Sequence, residues 1–248
     1  VLDLLEGVLG RASWLNDRAC VRRARLRAVQ TQVAADLGLR TPRTLVTACR
    51  EDALAFAQAF GPVRLEPLGG QDWAAAGGVP TGEPGRVVRP VDLATAPSFG
   101  AGGPVVLREE LIATQRLWAV VVGDEVFAAK LGPAGRARPG AAARPSLHAH
   151  RLPALVQRRL VELGRRLGLK WSSVELRLTT RAEHVVERVW PSAPWAWVED
   201  ALSVDISGAI AAALIAPVQR LDQLERARLE QGPWVPPVMS TGAGRAVR

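Results

Sequence analysis

Few residues in this chain carry obvious reactive chemistry. Cys20 and Cys49 are its cysteines, and His148, His150 and His184 its histidines. Two scattered cysteines make neither a disulfide framework nor a metal set, and reduced thiols in a cytoplasmic protein are the expectation. His148 and His150 form an HAH in a stretch read as a loop, with no cysteine or acid beside them to complete a zinc site. His184 stands alone before a strand. The unusual stretch is "VVERVWPSAPWAWVED" (185–200), which gathers Trp190, Trp195 and Trp197 around Pro191 and Pro194 at the end of a run that reads as a strand. It poses the central question: whether this is the rim of an active site or a site that has been filled.

The elements that would position such residues are legible in the patterning. Apolar residues Leu26, Val29, Val33 and Leu37 recur at helical spacing over 19–38, and Gly38 supplies the stop. "TPRTLVT" (41–47) reads as a strand. "REDALAFAQAF" (50–60) reads as a helix with acids in its first turn, and "PVRLEPL" (62–68) as a second strand. A Gly-rich connection covers 69–86. "RVVRPVDL" and "PVVLREELI" read as strands. Two β-rich runs around Gly123-Asp124 predict a hairpin over 116–131 with a type II′ turn. A loop follows over 132–150, then a helix over 152–169 and a second hairpin from "KWSSVELRLTT" and "EHVVERVW". A helix over 203–216 is capped by Ser203 or Asp205. A charged helix and an unstructured tail from Gly232 close the chain. The order predicts an α+β fold with mixed or antiparallel sheets.

The chain has 248 residues, 48% of them hydrophobic, enough for one large domain or two small ones. Its net charge is +8, carried almost wholly by arginine, since Lys130 and Lys170 are the two lysines. No basic block interleaved with aromatics appears, there is no tyrosine, and phenylalanines number four. Codon usage of a GC-rich genome therefore explains the arginine better than nucleic-acid binding does. No apolar run is long enough for a bilayer span and no secretory signal opens the chain, so no membrane partner is expected.

Several ordered stretches resemble the ATP-grasp domain of ribosomal-peptide maturases and the glutamate-ligase-like enzymes near them. Arg27, Gln30, Ala34, Leu37 and Gly38 fall on the family's helix pattern K-x-x-Q-L-x-x-A-x-x-L-G, which precedes P-x-T-L-V-T. "LWAVVVGDEVFAAKL" resembles I-R-V-x-V-V-G-D-x-V-F-A. "GLKWSSVELRLTTRAEHVVERVWPSAPWAW" resembles G-L-x-Y-G-A-x-D-L…F-L-E-x-N-P-x-G-Q-W-L-W, and "EDALSVDISGAIAAAL" the closing segment. The likeness runs over roughly 3–215. It implies two α+β subdomains, with 1–103 the N-terminal part, 104–216 the C-terminal subdomain, and 217–248 a helix and tail. The small domain that usually comes before is expected to be missing or truncated here.

Members of that family hold Mg-ATP between the subdomains and phosphorylate a carboxylate, which an amine then attacks. By the resemblance, the phosphate-binding lysine falls on Glu66, whose charge phosphate repels. The adenine hinge falls on Arg108-Glu109. An arginine before the hairpin falls on Trp118, with Arg116 two residues away on the same strand face. The first metal carboxylate is Glu175, the second falls on Arg188, and the metal-binding Asn on Trp190. Arg188 and Trp190 share a strand face and neither coordinates magnesium. Glu187 points the other way unless a β-bulge shifts the register.

Two readings stay open at this point. The first is a degenerate ATP-grasp protein with no confident catalytic residue, metal or cofactor, which binds a precursor peptide or partner protein. The alternative is an active ATP-dependent carboxylate–amine ligase using ATP and Mg, or a metal-independent phosphate enzyme. The latter would use Arg116 and Arg188 on phosphate and Glu175 or Glu109 as acid–base groups. A nucleic-acid binder ranks last, and a homo-oligomer is left open.

Overall fold

The computed structural model describes residues 14–67, 85–95, 99, 103–134 and 145–216. Most of the Gly-rich connection, the middle of the 132–150 loop, and the final helix and tail lie outside the described residues. The first helical segment begins where Asp17 accepts hydrogen bonds from the N–H groups of Ala19 and Cys20 at 2.8 and 3.1 Å. The single helix expected over 19–38 is two: α1 (Arg18–Ala24) and α2 (Arg27–Asp36). The break is chemically closed, because the Gln30 amide donates to the Ala24 carbonyl at the end of α1 at 2.6 Å. Gly38 has φ +68° and ends α2 as expected, with the Leu39 N–H returning to Ala34 at 2.9 Å.

The next segment builds a four-stranded sheet in the order β1-β4-β2-β3, antiparallel throughout. Its strands are β1 (Thr44–Thr47), β2 (Val63–Pro67), β3 (Arg86–Val88) and β4 (Val105–Glu109). Helix α3 (Arg50–Phe60) and the short α4 (Pro90–Ala94) cover one face. There Ala53, Ala57, Leu93, Val63, Val88 and Leu107 form a small core. "RVVRPVDL" is therefore a strand for three residues only. Pro90 then starts a helix, and Asp92 caps it by accepting from the Arg89 N–H at 2.8 Å.

The second sheet has five antiparallel strands in the order β7-β6-β5-β8-β9. They are β5 (Ala113–Val122), β6 (Glu125–Ala134), β7 (Pro145–Ala149), β8 (Trp171–Thr179) and β9 (His184–Trp190). The β5–β6 hairpin closes at Gly123-Asp124. Of that pair only Gly123 has positive φ (+56°), as a type II′ turn requires. The HAH lies at the end of strand β7 rather than in a loop, where Ala149 pairs with Ala129 and the His150 N–H bonds Ala128. The Gly-Ala-Pro-Arg composition before it hid this edge strand.

Strand alternation divides the five-stranded sheet into two faces. Leu117, Ala119, Val121, Val174, Leu176, Val186 and Val189 face α1, α2 and α5 (Ala154–Leu167), forming the larger core with Leu160, Leu163 and Leu167. Trp118, Val120, Val122 and Trp171 face the opposite way, toward α6 (Ala196–Leu202) and α7 (206–216). The "WAW" (195–197) opens helix α6, with Trp195 as its N-cap. Asp205, not Ser203, caps α7 by accepting from Gly208 N–H at 2.7 Å. No helix among the described residues is long and apolar enough to cross a membrane.

Candidate functional site

The two sheets meet along a seam where β2 and β4 face β8 and β9, with α2 at its edge. Two residues of α2, with Asn16 ahead of α1, position the wall. The Gln30 side chain donates to the Val189 carbonyl at 2.8 Å and accepts from the Val189 N–H at 2.9 Å. This two-way bond ties α2 to edge strand β9. Arg27 reaches past it to the Glu187 carbonyl at 2.7 Å and to the Glu66 carboxylate at 3.2 Å. Asn16 fixes the end of the same strand, donating to Trp171 and Pro191 carbonyls at 2.8 and 2.9 Å.

Strand β9 carries a β-bulge. Glu175 pairs with Arg188, but Leu176 pairs with Val186, so Glu187 is the extra residue. The bulge places the Glu187 carboxylate on the face of Glu175 and Arg177, where Arg177 Nε donates to it at 2.6 Å. The carbonyl that the bulge removes from the ladder accepts from Arg27 at 2.7 Å and Arg108 Nη2 at 3.2 Å, so it is satisfied. Alternation alone assigns Glu187 to the wrong face, and the bulge is invisible in the residue types.

The expected positions converge on this seam. Glu66 on β2 is 3% exposed and faces three guanidinium groups: Arg108 at 3.0 Å, Arg27 at 3.2 Å and Arg188 at 3.6 Å. Arg108 on β4, also 3% exposed, bridges to the Glu187 carboxylate at 2.9 Å. Arg116 on β5 donates to Glu175 at 2.8 Å. The Arg188 guanidinium stacks over Trp190 at 4.5 Å. Trp118 is fully buried and meets Trp197 edge-on at 5.6 Å. Glu109 sits further out, at the end of β4, and accepts from Arg40 at 3.3 Å and the Arg43 N–H at 3.2 Å. It belongs to an outer chain that continues from Arg40 to Glu183.

Electrostatics follow from this crowding. Burial pushes the Glu66 carboxyl above the usual range despite Arg108. Burial and the neighbouring Glu187 charge push Glu175 up, against Arg116. Burial would also raise Glu187, but Arg108 and Arg177 outweigh it and hold that carboxyl below the usual range. Burial lowers the Arg188 guanidinium to about 10, which leaves it cationic at neutral pH. Each carboxylate is matched by at least one arginine, so the seam is an internally neutralised network. The pocket lined by Arg27, Thr41, Arg108 and Glu187 has room for about one water molecule.

Magnesium fits these residues poorly. Glu175 and Glu187 share a face, but arginines occupy both, the cationic Arg188 pairs with Glu175 across the strands, and Trp190 offers no oxygen. Among the described residues no cluster of three or more His, Cys, Asp or Glu side chains suits a metal ion. The three histidines do not join the seam. His150 and His184 stack at 6.3 Å, and Cys20 and Cys49 are free thiols.

No protein-family model and no curated protein matches the sequence. Solved structures do. The ATP-grasp ligase PsnB, solved with a minimal precursor, superposes with a TM-score of 0.69 at 22% identity, over 86% of this chain and 66% of that one. The macrocyclase MdnC from Microcystis aeruginosa MRC, bound with precursor peptide MdnA, gives 0.70 at 22% identity, over 86% and 68%. MdnB from the same source gives 0.65 at 25% identity, over 86% and 66%. The chain thus spans about two thirds of the length of these proteins. These likenesses, over most of the two-sheet α+β structure, show that the chain has an ATP-grasp fold that resembles peptide maturases.

Proposed function

We propose that this chain is an ATP-grasp protein that does not ligate through Mg-ATP and acts by binding a precursor peptide or a partner protein. The observation that carries the proposal is Glu66. The position where the resemblance places a phosphate-binding lysine holds a buried carboxylate, already clasped by Arg27, Arg108 and Arg188. That carboxylate occupies the cationic partners a phosphate would need and repels the phosphate itself. Trp118 and Trp190 add bulk on the strand face where the family has an arginine and an asparagine. A peptide partner is supported by the precursors bound to PsnB and MdnC.

One observation favours the second reading, an active ligase. The bulge returns a carboxylate, Glu187, to the face of Glu175, so two acids stand together as a metal pair would. Their arginine partners argue against it, because a divalent cation would have to displace both. The readings separate in an assay of ADP release from ATP with magnesium. The proposal expects no turnover from the native chain. Turnover that is abolished by Glu175→Gln would establish the ligase instead.

A further inference from the structure

The seam neutralises its own arginines, and the helical layer behind the five-stranded sheet does not. Leaving out Arg27 and Arg40, whose carboxylate partners lie at the seam and in the outer chain, residues 14–40 and 151–170 hold ten basic residues against three acids. Helices α1, α2 and α5 form this one layer. Arg159 of α5 donates to the Gly38 carbonyl at 2.9 Å, and Gly168 packs against Cys20 of α1. Arg22, Arg23, Arg25, Arg151 and Arg158 are exposed there and make no ion pair or hydrogen bond through their side chains with any described residue. By contrast Arg27, Arg108, Arg116, Arg177 and Arg188 at the seam all engage carboxylates.

We infer that this layer is a docking surface for a carboxylate-rich polypeptide. These guanidinium groups, unpaired among the described residues, supply charge complementarity and are planar forks suited to side-chain carboxylates. Leu26 and Leu155 are 58% and 49% exposed in the same layer, which fits an acidic segment that also carries apolar residues. Nucleic acid fits less well. The packed tryptophans Trp118, Trp171 and Trp197 lie on the opposite face of the sheet, and α1, α2 and α5 hold no aromatic residue on which a base could stack. The inference deepens the binding function proposed above by naming the partner's chemistry. It rests on that reading for the partner being a polypeptide, and not on the state of the seam.

Fluorescence anisotropy tests it, using a labelled peptide of glutamates and leucines, a labelled single-stranded oligonucleotide and the full chain at low salt. The peptide is expected to bind, and the Arg22→Gln/Arg23→Gln/Arg25→Gln variant to weaken it about tenfold. The control variant Arg86→Gln/Arg181→Gln, exposed basic residues outside the layer, is expected to bind as the native chain does. Circular dichroism of both variants confirms folding. No peptide binding, equal binding by the triple variant, an equal loss in the control, or tighter binding of the oligonucleotide would overturn the inference. ADP release measured on the same protein reads the seam separately, so failure of one proposal is distinguishable from failure of the other.

Discussion

Replacing Arg108 with methionine tests how the seam is held. The guanidinium is 3% exposed and gives Nη1 to Glu66 at 3.0 Å and Nη2 to the carboxylate and carbonyl of Glu187 at 2.9 and 3.2 Å. Methionine keeps much of the apolar volume and removes the charge, which leaves two buried carboxylates short of a partner. Removing one member of a buried ion pair costs on the order of 3–5 kcal/mol. Glu66 keeps Arg27 at 3.2 Å and Glu187 keeps Arg177 at 2.6 Å, so the lower end applies, about 3 kcal/mol. The loss also carries a pH signature. Arg108 pulls both carboxyls down, so without it their folded-state values rise. A carboxyl raised in the folded state binds protons more readily than in the unfolded chain, so its penalty grows as pH rises and fades as pH falls. Urea unfolding at pH 7 and pH 5 should therefore show a deficit that is smaller at pH 5. The Arg108→Met/Glu66→Met double variant should lose less than Arg108→Met alone, because one stranded charge is gone. A deficit under about 1 kcal/mol at pH 7, the range of an exposed pair, would refute the argument. So would a deficit of equal size at both pH values.

Other outcomes follow from single residues. Gln30→Leu should destabilise the chain by about 1–3 kcal/mol in urea, because it strands both backbone groups of Val189. Trp118→Ala should cost on the order of 3–5 kcal/mol by opening a cavity beside Trp197, read as a lower thermal midpoint. Glu187→Gln should lose stability at pH 7, and its gap from the native chain should close on acidification. Glu187 is held low in the folded state, so its contribution exists above the ordinary carboxylate range and is lost as pH falls through the folded value. Gly168→Ala should cost about 1 kcal/mol or more, since φ is +74° and the added methyl would meet Cys20 Sγ at 2.6 Å.

Much of the fold was legible where one signal dominates. The β5–β6 hairpin followed from Gly123-Asp124 between apolar runs, and α5 from Leu160, Leu163 and Leu167 at helical spacing. The elements that escaped had conflicting or weak signals. Leu26 continues the apolar stripe across the α1–α2 break, so periodicity joins two helices although Asp17 caps the start of α1 and Gln30 its end. Pro90 reads as a breaker within a strand, yet it starts α4. Trp195 to Trp197 look like packing aromatics and open α6. The site was partly legible, because Glu66, Arg108, Glu175, Arg188 and Trp190 do meet at one seam. The partners of those residues were not. Arg27 lies far away in sequence on α2, and Glu187 enters only because a bulge adds a residue to β9. Both depend on tertiary register, which residue types do not encode locally.

The most direct test of the central claim is calorimetric titration of the chain with ATP, with and without magnesium. A seam whose arginines are already matched by Glu66, Glu175 and Glu187 predicts no binding heat in either condition at millimolar nucleotide. Saturable binding that requires magnesium would contradict it. It would mean that the Glu175 and Glu187 carboxylates exchange their arginines for a metal ion and that the nucleotide site is intact.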